Sequence, residues 1–322
     1  MSLRPWNRPL LEVKNLKTYF YRRDGVVKAV DGVSYSIFER ESVGIVGESG
    51  SGKSVSMLSI VKLIRGRGKI EEGEVLFEGR DLLKLDEQAL RKVRGGEIGF
   101  IFQNPQTSLN PTLRCGVQIE EAILWHDRAD RKRASERAMS LLEEVGIPAP
   151  AARYRNFPFE LSGGMKQRVM IAVALSCEPK LMIADEPTTA LDVTIQAQIV
   201  ELINRMKAAY GMSTILITHD FGLAAEFSDR IIVMYAGRVA EIASTTEFLN
   251  NPRHPYSIGL LENAKMVRGR LNIIPGAPPD MIRPPSGCRF HPRCPKATTI
   301  CREQVPEETR LSEEHTVFCW NI

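Results

Sequence analysis

Eight residues, GESGSGKS at 47–54, constrain this chain more than any others. They follow a short apolar run, SVGIV (42–46), and fit the pattern G-x-x-x-x-G-K-[ST]. Glycines at 47, 50 and 52 let the backbone curl so that several N–H groups face one anion. A helix expected from about Ser54 to Leu63 aims its positive end at the same point. Lys53 supplies a point charge for the outer phosphates of a nucleotide, and Ser54 a hard hydroxyl ligand for Mg2+. Glu48, Ser49 and Ser51 complete the loop, so Gly47, Glu48, Ser49, Gly50, Ser51, Gly52, Lys53 and Ser54 form the expected phosphate-binding set. A strand, such a loop and a helix in that order predict an α/β fold.

The remaining pattern agrees. LLEVKNL and VVKAVDGVSYSI read as strands, with RDG (23–25) as the hairpin connection, and GEVLFEG (73–79) and IGFIF (98–102) as further strands. From about Asn104 to Gly164 the character is mainly helical, ERAMSLLEEVGI being the clearest amphipathic piece. LMIAD (181–185), TILIT (214–218) and RIIVMY (230–235) are then buried strands separated by helical stretches, which predicts a largely parallel sheet. After about Asn250 proline becomes frequent and periodicity is lost, so that stretch reads as an extended appendage and not as a second core.

A phosphate loop of this kind needs a carboxylate near its metal. Asp185 ends an apolar strand and would hold Mg2+, while Glu186, one residue on, points elsewhere and could polarise an attacking water. ELSGGMKQR (160–168) puts Ser162, Gly163 and Gly164 at a helix start. Taken alone that is a serine N-cap. As a second anion site it has no phosphate left in its own chain, which a dimer resolves by letting the element reach the nucleotide of another subunit.

In these motifs the chain resembles the nucleotide-binding subunit of ABC transporters, over nearly its whole length. The order matches: Phe20 as the adenine-stacking aromatic, the loop at 47–54, Gln103, LSGGM at 161–165, Asp185 and Glu186, ALD at 190–192, and His219 after TILIT. Met165 stands where the family usually has Gln. The resemblance implies a P-loop NTPase (RecA-like) core with an N-terminal antiparallel β subdomain, an inserted helical signature subdomain at about 104–165, and a metal-binding C-terminal extension. Residues 1–250 would form the ATPase domain and 251–322 the extension. It implies Glu186, His219 and Gln103 as catalytic residues, and Mg2+ held through Ser54, Gln103 and Asp185. ATP would be bound by the loop and Phe20, with Ser162, Gly163 and Gly164 acting in trans.

Six longer stretches, among them QNPQTSLNPT (103–112), NPRHPYSIGLL (251–261) and IPGAPPD (274–280), are similar to the ATPases of di- and oligopeptide importers. Nickel and oligosaccharide importers share much of this text. The implied partners are two membrane permeases, a second ABC ATPase in a heterodimer, and indirectly an extracytoplasmic binding protein. The place of work would be the cytoplasmic face of the membrane, peripherally. A soluble ABC ATPase acting on ribosomes or DNA would carry two cassettes or a long coiled coil, and the chain has one signature and no sustained heptads. The net charge of +4 is too mild to argue for nucleic acid.

Four of six cysteines crowd into the tail, spaced C-x5-C-x6-C-x17-C at Cys288, Cys294, Cys301 and Cys319. No run approaches the ~18 apolar residues of a membrane span, and the N-terminal MSLRPWNRPLLEV has no apolar signal core. The expectation is therefore cytosolic, where disulfides are disfavoured. Four thiolates suit Zn2+ or an iron–sulfur cluster, and the spacing leaves the ion open. His291 and His315 are further candidate zinc ligands, and free cysteines without a common role are the plain alternative. Peptide-importer ATPases carry a similar tail, and that resemblance implies a [4Fe–4S] cluster.

Overall fold

A computed structural model of the chain describes residues 9–127, 130–189, 191–264 and 274–322. They fall into two compact units, Met1–Lys84 with Leu216–Ile322, and Leu85–Ile215.

The first unit opens with β1 (Pro9–Tyr21) and β2 (Val26–Phe38), antiparallel and joined through the RDG turn, where Arg22 N–H donates to Gly25 O at 2.9 Å. Next come β3 (Ser42–Val46), α1 (Lys53–Ile60), β4 (Gly68–Phe77) and the short β5 (Arg80–Asp81). β2, β1, β4 and β5 form a four-stranded antiparallel sheet in that order. One face is apolar, with Leu11, Val13, Leu16, Val33, Ile37, Val75 and Phe77 buried. β3 is buried at all five residues, as a strand covered on both faces must be.

The second unit contains α2 (Glu87–Val93), β6 (Ile98–Ile101), α3 (Pro105–Ser108), α4 (Cys115–Asp127), α5 (Arg131–Glu144), α6 (Pro150–Arg153), α7 (Gly163–Leu175), β7 (Leu181–Asp185) and α8 (Val193–Tyr210). The expected helical stretch is broken into pieces by Pro105, Pro111, Pro150 and Pro158, because proline ends or starts helices. Asp130, Ser162 and Asp192 each cap a helix start with a side-chain oxygen. α7 carries the core, burying Val169, Met170, Ile171, Ala172 and Leu175. β6 and β7 run parallel, Ile101 opposite Ala184.

The chain crosses back to the first unit within β8 (Ser213–Thr218) and continues through α9 (Phe221–Phe227), β9 (Arg230–Tyr235), β10 (Arg238–Ser244), α10 (Thr245–Asn250) and α11 (Pro255–Ala264). β9 lies parallel to β3, and β10 antiparallel to β9. The proline-rich tail is more ordered than its text suggests. It holds α12 (Thr299–Glu303), β11 (Thr309–Ser312) and β12 (His315–Val317). β12 pairs with β10, and β11 with β12. Strands of three and four residues are too short to show a period. Ile274 and Phe290 of the tail are buried in one cluster with Val46, Tyr235, Phe248 and Tyr256. Burying one such aromatic ring contributes about 2 kcal/mol. No described helix is long and apolar enough to cross a membrane.

The turn into α11 rests on a buried histidine. His254 Nδ1 accepts from Tyr256 N–H at 3.0 Å, and His254 N–H donates to Glu241 Oε2 at 2.9 Å. Burial lowers the His254 pKa from 6.5 to about 4. The unfolded chain therefore takes up a proton between those values that the folded chain refuses. This stability is complete above pH 6.5 and is lost as pH falls towards 4, by roughly 3 kcal/mol. Thermal unfolding followed across that window should show Tm dropping on acidification, and His254→Asn should flatten the slope.

Candidate active site

The phosphate loop leaves β3 and enters α1 through two glycines whose surroundings admit nothing larger. A Cβ on Gly47 (φ 149°) would sit 2.2 Å from Met234 O, and one on Gly52 (φ 97°) 2.3 Å from Ala29 O. Gly52 precedes α1 in a left-handed conformation with no side-chain cap, so the first-turn N–H groups of the helix are not capped by it. Lys53 is 5% exposed. Its ammonium donates to Gly47 O at 2.7 Å, Glu48 O at 2.9 Å and Ser51 Oγ at 3.4 Å. The charge sits inside the curl of the loop. Ser54 follows in the first turn of α1.

In the same unit His219 comes directly after β8 and is exposed. Its successor fixes it: Asp220 N–H donates to Thr218 Oγ1, and Asp220 Oδ1 accepts from Leu223 N–H to cap α9, both at 3.0 Å. Phe20 is half-buried in β1, where its ring faces Gly68 so closely that a Cβ there would lie 2.7 Å away.

The second unit groups three more expected residues. Gln103 lies two positions beyond β6, and Asp185 ends the parallel β7, so both leave the same end of the pair. Gln103 Nε2 donates to Glu186 Oε2 at 2.8 Å, and Thr189 Oγ1 donates to that oxygen at 2.9 Å. Asp185 is 6% exposed. Glu186 has φ 45°, the left-handed region, which costs a non-glycine residue on the order of 1 kcal/mol. Thr189 was not singled out in the sequence, although its place in DEPTT, three residues after Glu186, is the signal.

Ser162 caps α7, accepting from Met165 N–H at 3.4 Å, and Ser162 and Gly163 are exposed. A thirteen-residue helix therefore presents its positive end to solvent. Gly164 is tight, since a Cβ would lie 3.1 Å from Ile195 Cγ2. Of ALD, Ala190 lies outside the described residues, while Asp192 caps α8.

All six cysteines are free thiols. Among the described residues no three or more His, Cys, Asp or Glu side chains converge so as to hold a metal ion. Neighbouring tail thiols are nevertheless near enough to add to the raised pKa of Cys288, Cys294 and Cys319. Burial first, and then Cys319, Cys301 and Cys294, push Cys288 up to about 11. Burial also raises Cys294 and Cys319. Opposing this, backbone N–H groups two residues ahead, of Phe290, Lys296 and Asn321, point at Cys288, Cys294 and Cys319 and favour thiolate. Thr298 Oγ1 and Asn321 Nδ2 both lie 3.3 Å from Cys301 Sγ. His315 is committed elsewhere, its Nε2 being 2.7 Å from Glu241 Oε1. His291 Nδ1 is 2.9 Å from Cys288 O.

Residues 30–189 match the family model described as ABC transporter, and residues 240–301 that of the oligopeptide/dipeptide transporter C-terminal region. The chain is similar to the dipeptide transport ATP-binding protein DppD of Bacillus subtilis, with 46% identity over 97% of this chain and 94% of that protein. It is also similar to the oligopeptide transport ATP-binding protein AppD of the same organism, with 48% identity over 97% and 96%. Among solved structures it resembles a dimeric, post-hydrolysis ATP-binding cassette bound to ADP and Pi, with TM-score 0.66 and 31% identity, over 73% of this chain and 98% of that one.

The loop geometry makes a specific demand on Gly52. Gly52→Ala should weaken binding of a fluorescent ATP analogue at least about tenfold, because a Cβ there meets Ala29 O in a backbone conformation that alanine disfavours. Gly66→Ala has a similar φ of 68° but open space around it, and should leave the affinity unchanged in the same titration.

Proposed function

Because the chain belongs to the ABC transporter family, we infer that it is the ATP-binding and ATP-hydrolysing subunit that powers import of di- and oligopeptides. The observation that carries this reading is the full-length similarity, in which cassette and tail together match peptide-transport ATP-binding proteins at 46–49% identity.

The residues then take the following roles. The curl at 47–54 and Lys53 bind the phosphates, and Phe20 stacks on adenine. Ser54, Gln103 and Asp185 offer hydroxyl, amide and carboxylate oxygens, a hard donor set suited to Mg2+. That ion neutralises phosphate charge when bound. Glu186 polarises the attacking water, with Gln103 and Thr189 fixing its carboxylate. His219 donates to the γ-phosphate.

The exposed start of α7 supports a role in trans, in which Ser162, Gly163 and Gly164 meet the nucleotide of a second cassette. The similar cassette bound to ADP and Pi is dimeric. We place the partner cassette in a heterodimer, with two permeases at the cytoplasmic face of the membrane and a binding protein outside it. Contacts to the γ-phosphate favour the closed dimer and hydrolysis releases it, which is how ATP would drive the permeases.

The tail thiols form a soft donor set, and three of them already receive backbone N–H groups. This supports Cys288, Cys294, Cys301 and Cys319 as the residues that would hold a [4Fe–4S] cluster, with Zn2+ as the alternative.

Glu186→Gln should keep MgATP affinity within about threefold of the parent while kcat falls by about 100-fold or more, as expected for loss of a general base. Unchanged turnover would remove Glu186 from that role. Protein purified without oxygen should contain iron and sulfide in equal amounts, both lost in Cys294→Ser; protein free of iron and zinc would refute both metal assignments. Reconstitution with permeases and binding protein should show ATP hydrolysis stimulated by short peptides, and stimulation by nickel or an oligosaccharide instead would overturn the cargo.

A further inference from the structure

The tail grips the phosphate loop at one residue. Arg293, in the short turn His291–Arg293, has a side chain only 5% exposed. It makes a two-pronged ion pair with Glu48, Nη1 to Oε2 at 2.7 Å and Nη2 to Oε1 at 3.0 Å. The other donors of the guanidinium are also engaged: Nε to Pro275 O at 2.9 Å, Nη2 to Ile274 O at 3.3 Å and Nη1 to Tyr235 Oη at 3.3 Å. All five N–H groups of the fork have acceptors, which holds it in a single orientation. Pro278, Pro279 and Met281 face Glu48 and Ser51 across a gap of only ≈ 20 Å3.

Glu48 is also held by its backbone. Its N–H donates at 2.8 Å to the hydroxyl of Tyr256, which is fully buried. That N–H belongs to the same rigid peptide plane as Gly47 C=O, which accepts from the Lys53 ammonium at 2.7 Å. Turning one end of the plane turns the other. Tyr256 therefore orients the carbonyl that holds the phosphate-binding lysine. Arg293 does the complementary electrostatic work. The Glu48 carboxylate lies on a loop built to receive phosphates, and unpaired it would repel them.

We propose that the C-terminal extension is a working part of the nucleotide site, in which Arg293 and Tyr256 are positioning residues that clamp residue 48 and so set the charge and shape of the phosphate loop. The inference rests on the nucleotide reading above and goes beyond it, because it ties ATP affinity to a segment outside the cassette motifs.

The test is titration of the full-length protein with a fluorescent MgATP analogue, beside steady-state ATP hydrolysis. Arg293→Ala should weaken binding about tenfold and raise KM by more than it lowers kcat. Arg293→Lys should fall between, since it keeps the charge and loses the fork. Adding Glu48→Gln to Arg293→Ala should restore most of the lost affinity, because the uncompensated carboxylate is gone; a merely structural arginine gives no such rescue. Parental affinity in Arg293→Ala, or a double variant worse than the single one, overturns the clamp. If Arg293→Ala does not fold, Arg293→Lys and Tyr256→Phe carry the test, and parental affinity in both overturns it. A parent that binds no MgATP refutes the nucleotide reading and this inference together, whereas a binding parent with unaffected variants sinks the clamp alone.

Discussion

A buried ammonium at the mouth of a parallel strand sets the terms for the loop around it. Lys53 is 5% exposed, and taking such a charge out of water is costly unless oxygens surround it. The loop supplies them from its own backbone, Gly47 O and Glu48 O, and from Ser51. Carbonyls can turn inward only if the chain curls tightly, and the curl is possible only because positions 47 and 52 lack side chains where Met234 O and Ala29 O press in. Those two oxygens belong to β9 and β2, so a strand from each sheet presses on the loop. The lysine is thus held by oxygens that the loop itself directs inward.

Parallel pairing does comparable work in the second unit. β6 and β7 are in register, so residues just past Ile101 and Ala184 emerge together. Gln103 and Glu186 meet there because the two strands end level, not because they are close in sequence. Glu186 itself takes a left-handed φ of 45°. Thr189 and Gln103 both donate to the same Glu186 oxygen, Oε2. Local strain at this turn is held by hydrogen bonds from either side, a pattern that suits a group needed in one orientation.

Much of this was legible in the text. SVGIV and LMIAD announce buried strands, and the phosphate loop, the signature and the DE pair stand at the strand and helix ends that their chemistry needs. The helical character of 104–164 was legible too, but not its fragmentation, since each proline acts through the residues before it as well as its own. Less visible was anything that depends on distant pairing. β10 reads as a mixed polar segment because Glu241 sits in its middle, and the reason for that glutamate lies in three separate donors. Tyr256 sits within NPRHPYSIGLL and Arg293 next to Cys294, yet their partner Glu48 is more than two hundred residues away, a separation that periodicity cannot reach. The same limit applies to the four cysteines, whose spacing shows their number and not their arrangement.

Glu241 explains how a tail without its own core comes to be ordered. It is fully buried, and its carboxylate accepts from Arg253 N–H, from His254 N–H, and lies 2.7 Å from His315 Nε2. One oxygen pair on β10 thereby fixes both the start of the segment leading into α11 and the strand β12 near the end of the chain. Between those anchors Phe290 inserts among Tyr235, Tyr256 and His254, with ring centroids 5.1–5.7 Å apart. Arg289 and Arg293 flank it and reach in opposite directions, to Asp31 on β2 and to Glu48 on the phosphate loop. A single aromatic plug thus carries two arginines into place, and Cys288 and Cys294 lie immediately outside them. Any event that reorganises the cysteine turn must move residues that share a backbone with both arginines. The fold therefore gives that turn a short mechanical route to the phosphate loop, through covalent neighbours and one ion pair.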